Sequence, residues 1–134
     1  MIVVAIVGII AAFAYPSYLE QIRTTKRAEC AGALVSLGNA MERHYSINGS
    51  YLGAAAAGAD TGAPAIFRAT CPVDGGTPTY NLTLVAPVTA STYNLNAVPT
   101  GTQTGDKCGT LTFSNTGVKN VAGANAGLTW ESCW

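Results

Sequence analysis

The sequence predicts an α+β fold, a long N-terminal α-helix packed on a small antiparallel β-sheet of about four strands. Three observations carry this prediction. A helix-compatible pattern runs from the first residue with no strong breaker before Asn48-Gly49. Beyond residue 78 the pattern changes to short alternating segments bounded by Gly, Pro and Asn, the signature of strands and turns. The chain has 134 residues, enough for one domain, and combines 49% hydrophobic residues with only 8% aromatics, which suits a strongly apolar element joined to a small, loop-rich domain.

The helix comes first. MIVVAIVGIIAAFAY is almost wholly apolar and no charge occurs before Glu20. A bilayer-spanning helix needs about 20 apolar residues, so this segment is close to sufficient. A cleaved signal peptide would begin with basic residues and end on small ones, but here the basic start is missing and Pro16 and Tyr18 occupy the would-be cleavage region. A core helix that is apolar all round would need a larger protein around it. The remaining reading is a helix that rests in a membrane and is later buried against copies of itself. Met1, Ile2, Val3, Val4, Ile6, Val7, Ile9, Ile10, Phe13 and Tyr15 are its candidate contact residues. Gly8, with low helix propensity, and Pro16, which lacks an N–H, are its weak points.

Past Pro16 the helix becomes amphipathic. Cys30, Ala33, Leu34, Leu37, Ala40, Met41 and Tyr45 recur at three- and four-residue steps and mark one face. Glu20, Arg23, Lys26, Arg27, Glu29, Glu42 and Arg43 place charge around it. The whole helix would be roughly 70 Å long at about 1.5 Å per residue. Its two parts need different partners, which divides the chain into a protruding apolar segment over residues 1–24 and a head over residues 25–134.

Residues 49–78, rich in Gly, Ala and Thr, read as a long loop with a short helical turn, tethered at Cys71. Tyr80, Leu82 and Leu84 alternate in one strand, and Tyr93, Leu95 and Ala97 in the next, with residues 87–91 connecting them. Residues 109–114 form a third strand, and Asn115-Thr116-Gly117 turns the chain into Val118-Lys119-Asn120. Leu34, Leu37 and Met41 are expected to pack on Leu82, Leu84, Leu95, Leu111 and Phe113.

Chemistry is sparse. Four cysteines, Cys30, Cys71, Cys108 and Cys133, contain no C-x-x-C pair, which leaves a zinc ribbon or redox motif without support. Two disulfides in an oxidising compartment is the economical reading, with three pairings open. His44 is the only histidine, and with the thiols paired no nucleophile remains for it to activate, so it reads as a surface residue. Asp60, Asp74 and Asp106 sit in turn-like contexts without the density of oxygens a calcium loop needs. The sequence therefore calls for no catalytic residue, no metal and no cofactor. Seven basic and seven acidic residues give zero net charge, which argues against nucleic acid as a partner. Arg23, Lys26 and Arg27 form a basic cluster beyond the apolar segment, placed for lipid headgroups or for acidic neighbours such as Glu20 and Glu29. Asn48-Gly49-Ser50 and Asn81-Leu82-Thr83 match the N-glycosylation pattern, and the Ser/Thr-bearing loops offer positions for O-linked sugar.

MIVVAIVGIIAAFAYPSYLEQIRTTKRAE resembles the mature N-terminus of type IVa pilins, shared in part with type II secretion pseudopilins. TGTQTGDKCGTLTFSNTG, with the closing Cys133-Trp134, is similar to the PilE-like subgroup, whereas residues 53–76 resemble no segment of it. The resemblance implies the pilin fold and a structural, non-enzymatic subunit. Such a subunit sits in the inner membrane after processing, then polymerises with copies of itself, through the assembly machinery, into an extracellular filament. Adhesion, twitching motility and DNA uptake are the uses it implies. A minor pilin, a pseudopilin and a DNA-binding competence pilin are the alternatives. The apolar residues of positions 1–15 would form the filament core, and Gly8 and Pro16 would bound a stretch that is non-helical in filaments. The resemblance also implies that Cys108 joins Cys133 and Cys30 joins Cys71. Family members carry a short segment, typically Phe-Thr-Leu-Ile-Glu-Leu, before the residue matching Met1, and the expectation is that the sequence starts late relative to them.

Overall fold

The computed structural model describes residues 1–134. Helix α1 spans Ile2–Asn48 without interruption, 47 residues in all. Pro16 lies inside it, and the helix continues on both sides of Gly8 and Pro16. α1 ends where Gly49 adopts the left-handed conformation (φ 69°), and the Gly49 amide donates to the Tyr45 carbonyl at 2.7 Å. A Cβ is disfavoured in that conformation, so the Asn48-Gly49 pair sets the stop.

The sheet is a five-stranded antiparallel meander in the order β1 (Thr70–Cys71), β2 (Tyr80–Val85), β3 (Asn94–Pro99), β4 (Thr110–Ser114) and β5 (Lys119–Ala122). The sequence led us to expect about four strands. The additional one, β1, has only two residues, too few for alternation to register, and lies inside the stretch read as loop. A short helix α2 (Trp130–Cys133) closes the chain.

Register decides what each strand buries. Leu82 pairs with Ala97, Leu84 with Leu95, Leu95 with Phe113 and Ala97 with Leu111, so one sheet face is continuously apolar. That face covers Cys30, Leu34, Leu37 and Met41 of α1, and all of these except the partly buried Phe113 are fully or almost fully buried. Gly38 permits the close approach of helix to sheet, because a Cβ there would lie 2.8 Å from the Phe113 ring. Tyr45 does not join the core. It lies at the rim, 39% exposed, with its ring centroid 4.7 Å from that of Tyr51. The helical face narrows at its last turn, where no strand lies over it.

The opposite sheet face is uncharged and largely polar, with Val85, Val98 and Ala122 its apolar members. Thr83, Asn96, Thr112 and Asn120 form one row across four strands, as the successive pairings require.

Candidate assembly interface

The apolar third of α1 has nothing to cover it. Every residue from Met1 to Leu19 is exposed, Phe13 at 78% and Ile10 at 62% among them. Helix α1 is long and apolar enough to cross a membrane, and its most apolar window is 0% buried. The ten apolar positions singled out from sequence lie on all sides of this segment rather than on one stripe. A surface of that kind can be satisfied only by lipid or by other apolar helices on several sides.

Anchorage of the helix to the head begins within the next two turns. The Arg23 guanidinium donates to the Gly105 carbonyl at 3.2 Å, and Lys26 Nζ to Thr102 Oγ1 at 3.3 Å. Arg27 is 3% exposed and is the first buried residue of α1. Its Nη1 pairs with Asp106 Oδ1 at 2.5 Å, and its Nε donates to the Cys133 carbonyl at 3.2 Å. Asp106 Oδ2 accepts from the Tyr80 hydroxyl at 2.9 Å, and that hydroxyl accepts from Gln103 Nε2 at 3.2 Å. One buried network thus ties the helix, β2, the segment before β4 and the C-terminus together.

This corrects the sequence reading of a three-residue basic cluster. Arg27 is consumed internally by Asp106, so Arg23 and Lys26 alone face outward. Spacing along a helix says that three cations share a neighbourhood, but not which of them meets a carboxylate 79 residues away. Asp106 is likewise more than a turn residue, since its carboxylate is fully buried. The second ion pair, Lys107 with Glu20 at 2.9 Å, is partly exposed and adds a peripheral link.

Cys30, one turn beyond Arg27, is disulfide-bonded to Cys71, with Cα atoms 5.8 Å apart. Cys108 is bonded to Cys133, with Cα atoms 5.7 Å apart. The first bond holds β1 and the long loop to α1, and the second closes the segment whose carbonyl Arg27 reads. No thiol is free, and no group of three or more His, Cys, Asp or Glu side chains converges. His44 lies on the surface, its Nε2 2.9 Å from the Leu52 carbonyl oxygen.

The upper end of α1 is held by a carboxylate. Glu42 accepts from the Tyr51 hydroxyl at 2.9 and 3.0 Å and from the Tyr93 hydroxyl at 3.2 Å. Burial first, then the adjacent carboxylate, pushes the Tyr51 phenol up to about 12. Tyr93 and Tyr80 are raised further, again chiefly by burial, with Glu42 and Asp106 respectively adding to it. These are proton-holding phenols in structural roles.

Comparison with known proteins agrees with this geometry. The family described as "Type IV minor pilin ComP, DNA uptake sequence receptor" matches residues 16–112. No curated protein sequence matches the chain. Among solved structures, the non-core minor pilin PilV of Neisseria meningitidis superposes with a TM-score of 0.55 at 20% identity, covering 79% of this chain and 92% of PilV. A type IV pilin from Shewanella oneidensis superposes with a TM-score of 0.50 at 28% identity, covering 84% of this chain and 97% of that one. The family match spans most of the chain, from the end of the apolar segment into β4, and the helix-on-sheet fold is that of solved pilins, so the chain belongs to the type IV minor pilin ComP family and is a subunit of a type IV pilus.

Proposed function

We propose that this subunit polymerises through residues 1–15 into a helical filament of the type IVa, PilE-like kind, with residues 1–24 in the filament core and residues 25–134 as the outward head. The observation that carries this reading is the uncovered apolar segment, exposed on every side of α1. Burial of such surface is worth about 25 cal/mol per Å2 before entropic costs, so water is its worst surrounding. The inner membrane holds the segment first, and other copies, placed by the assembly machinery, replace lipid around it afterwards. Gly8 and Pro16 are where the helix would yield if crowding demands it. The role is structural and not enzymatic, serving adhesion, twitching motility or DNA uptake, and the head's Ser/Thr-bearing loops are positions for O-linked sugar.

Cryo-electron microscopy of filaments sheared from producing cells tests this directly. We expect density for this chain repeating along the fibre with residues 1–15 at the axis. Fibres of another protein lacking this chain would refute the homopolymer. As a companion test, Ile10→Arg places a cation near the middle of the apolar segment, at a cost of about 2.5–3.5 kcal/mol in a bilayer. Membrane retention and fibre formation should both fail.

A second reading is a minor subunit that recognises DNA. The family description supports it, and Arg43, Arg68 and Lys119 of the head have no carboxylate partner within 4.0 Å, the two ion pairs of the chain lying elsewhere. Retardation of duplex DNA at low salt that disappears in Arg43→Ala/Arg68→Ala would establish it. Absence of any retardation would remove it.

A further inference from the structure

Where α1 leaves the head there is a groove of about 380 Å3 lined by Leu19, Ile22, Arg23, Lys26, Thr102 and Gln103. We propose that it binds the headgroup of an anionic phospholipid while the subunit resides in the membrane, a step that rests on the membrane-resident stage proposed above.

Position is the first argument. The apolar run ends at Leu19, and Glu20 is the first charged residue after it, so the edge of the hydrocarbon core falls there when the segment spans. Arg23, one turn beyond Leu19, therefore stands at the depth of the lipid phosphates when the apolar segment spans. Charge is the second. Arg23 and Lys26 share one side of the helix at i, i+3 spacing, and neither has a carboxylate within ion-pair distance, because the two ion pairs of the chain use Arg27 and Lys107. Their only polar partners across the groove are neutral, the Gly105 carbonyl and the Thr102 hydroxyl. Two uncompensated cations facing one depression favour a phosphate diester.

The third argument is a buried acceptor. Gln103 is fully buried, and its Nε2 donates to the Arg23 carbonyl and the Tyr80 hydroxyl, but its Oε1 has no partner in the chain. An unpaired buried oxygen is costly and calls for a donor. Turned into the groove that it lines, the Gln103 amide would meet a glycerol hydroxyl of a phosphatidylglycerol headgroup, while the phosphate meets Arg23 and Lys26. Leu19 and Ile22 then lead from the groove down onto the apolar flank of α1, where an acyl chain can lie. Cations, an orphan acceptor and an apolar exit occur together at one depth, in the order a phospholipid presents them.

The test is retention of lipid by the full chain taken into detergent, read by native mass spectrometry after incubation with phosphatidylglycerol, phosphatidylcholine or diacylglycerol of matched acyl chains. Phosphatidylglycerol should be retained best. Arg23→Ala and Lys26→Ala should each lower its retention about fivefold, in line with the energy of one cation at an anionic surface. Arg23→Lys should restore most of it, and Asp74→Asn, an exposed loop charge that does not line the groove, should leave it unchanged. Soluble sn-glycerol 3-phosphate should be held far less tightly than the lipid. Equal retention of all three lipids, insensitivity to both alanine variants, or equal retention of the soluble phosphate would each overturn the proposal. The parent reading is scored separately by insertion of the same variants into phosphatidylcholine nanodiscs. Insertion without selective retention refutes the groove alone, whereas failure of the wild-type chain to insert refutes the membrane stage and the groove with it.

Discussion

Asp106→Ala should destabilise the head by about 4 kcal/mol. In the native chain the Asp106 carboxylate is fully buried between Arg27 and the Tyr80 hydroxyl. Its removal leaves the Arg27 guanidinium in the interior with only the Cys133 carbonyl and, at 3.4 Å, Thr24 Oγ1 to accept from it. Breaking a buried ion pair from one side costs about 3–5 kcal/mol. Tyr80 also loses its acceptor, worth about 1–3 kcal/mol when the hydroxyl stays buried, though the two losses overlap within one network and do not add in full. The control is Arg27→Met/Asp106→Leu, which removes both charges and fills the space. Well-packed apolar replacements of such pairs are often neutral, so the double variant should be more stable than Asp106→Ala. Urea unfolding of the full chain in detergent micelles, followed by the fluorescence of Trp130 and Trp134 with both disulfides intact, measures each value. A cost below about 1 kcal/mol for Asp106→Ala, or a double variant less stable than the single, would refute the view that this pair clamps the head to the helix.

Three further outcomes follow from the same structure. Cys30→Ser/Cys71→Ser releases a link closing 41 residues and should cost about 4 kcal/mol by the loop-entropy relation, seen as a lower urea midpoint with earlier proteolysis within residues 53–69. Tyr51 holds its proton to about 12 against 10.0 in the unfolded chain, and Tyr80 and Tyr93 are raised in the same direction. The folded state therefore binds more protons at high pH, so the contribution of these phenols to stability is constant below about pH 10 and falls as the pH rises through 12; spectroscopic titration of tyrosinate beside unfolding at each pH checks this, and unchanged stability between pH 10 and 12 would refute it. Gly109 has φ +62°, and a Cβ there would lie 2.5 Å from the Ala122 carbonyl oxygen, so Gly109→Ala should cost about 2 kcal/mol more, through that clash, than Gly127→Ala, where the left-handed φ is shared but no atom lies within 4 Å.

Periodicity made most of the fold legible. The change from an all-round apolar run to a one-sided stripe near residue 20 locates where α1 meets the head, and Tyr80, Leu82 and Leu84 declare β2 by alternation alone. Strand β1 was not legible, because two residues carry no period and its pairing depends on β2 arriving beside Cys71. The apolar segment was equally open to reading, since its peculiarity is compositional. The buried network was not. Arg27 and Asp106 each look like surface residues in their own neighbourhoods, and only the tertiary fold brings them into contact. The one signal available was the placement of Asp106 two residues before Cys108, where a disulfide-closed segment has to fold inward. Sequence also grouped Arg27 with Arg23 and Lys26, whereas the fold separates a clamp from a pair of free cations.

The attachments of the lower head to α1 fall within residues 20–30: Glu20 to Lys107, Arg23 to Gly105, Arg27 to Asp106 and Cys133, and Cys30 to Cys71. In mechanical terms this is a collar, and the shaft below it is joined to the head at no other point. In the filament proposed above, a tensile load carried through that shaft would enter the head along the continuous α1 backbone, shared between the collar contacts and the core packing of Leu34, Leu37 and Met41. Were the shaft to yield between Gly8 and Pro16, as proposed, the sheet above would keep its register. In the fibre we propose, extensibility would belong to the shaft and the shape of the outer surface to the head.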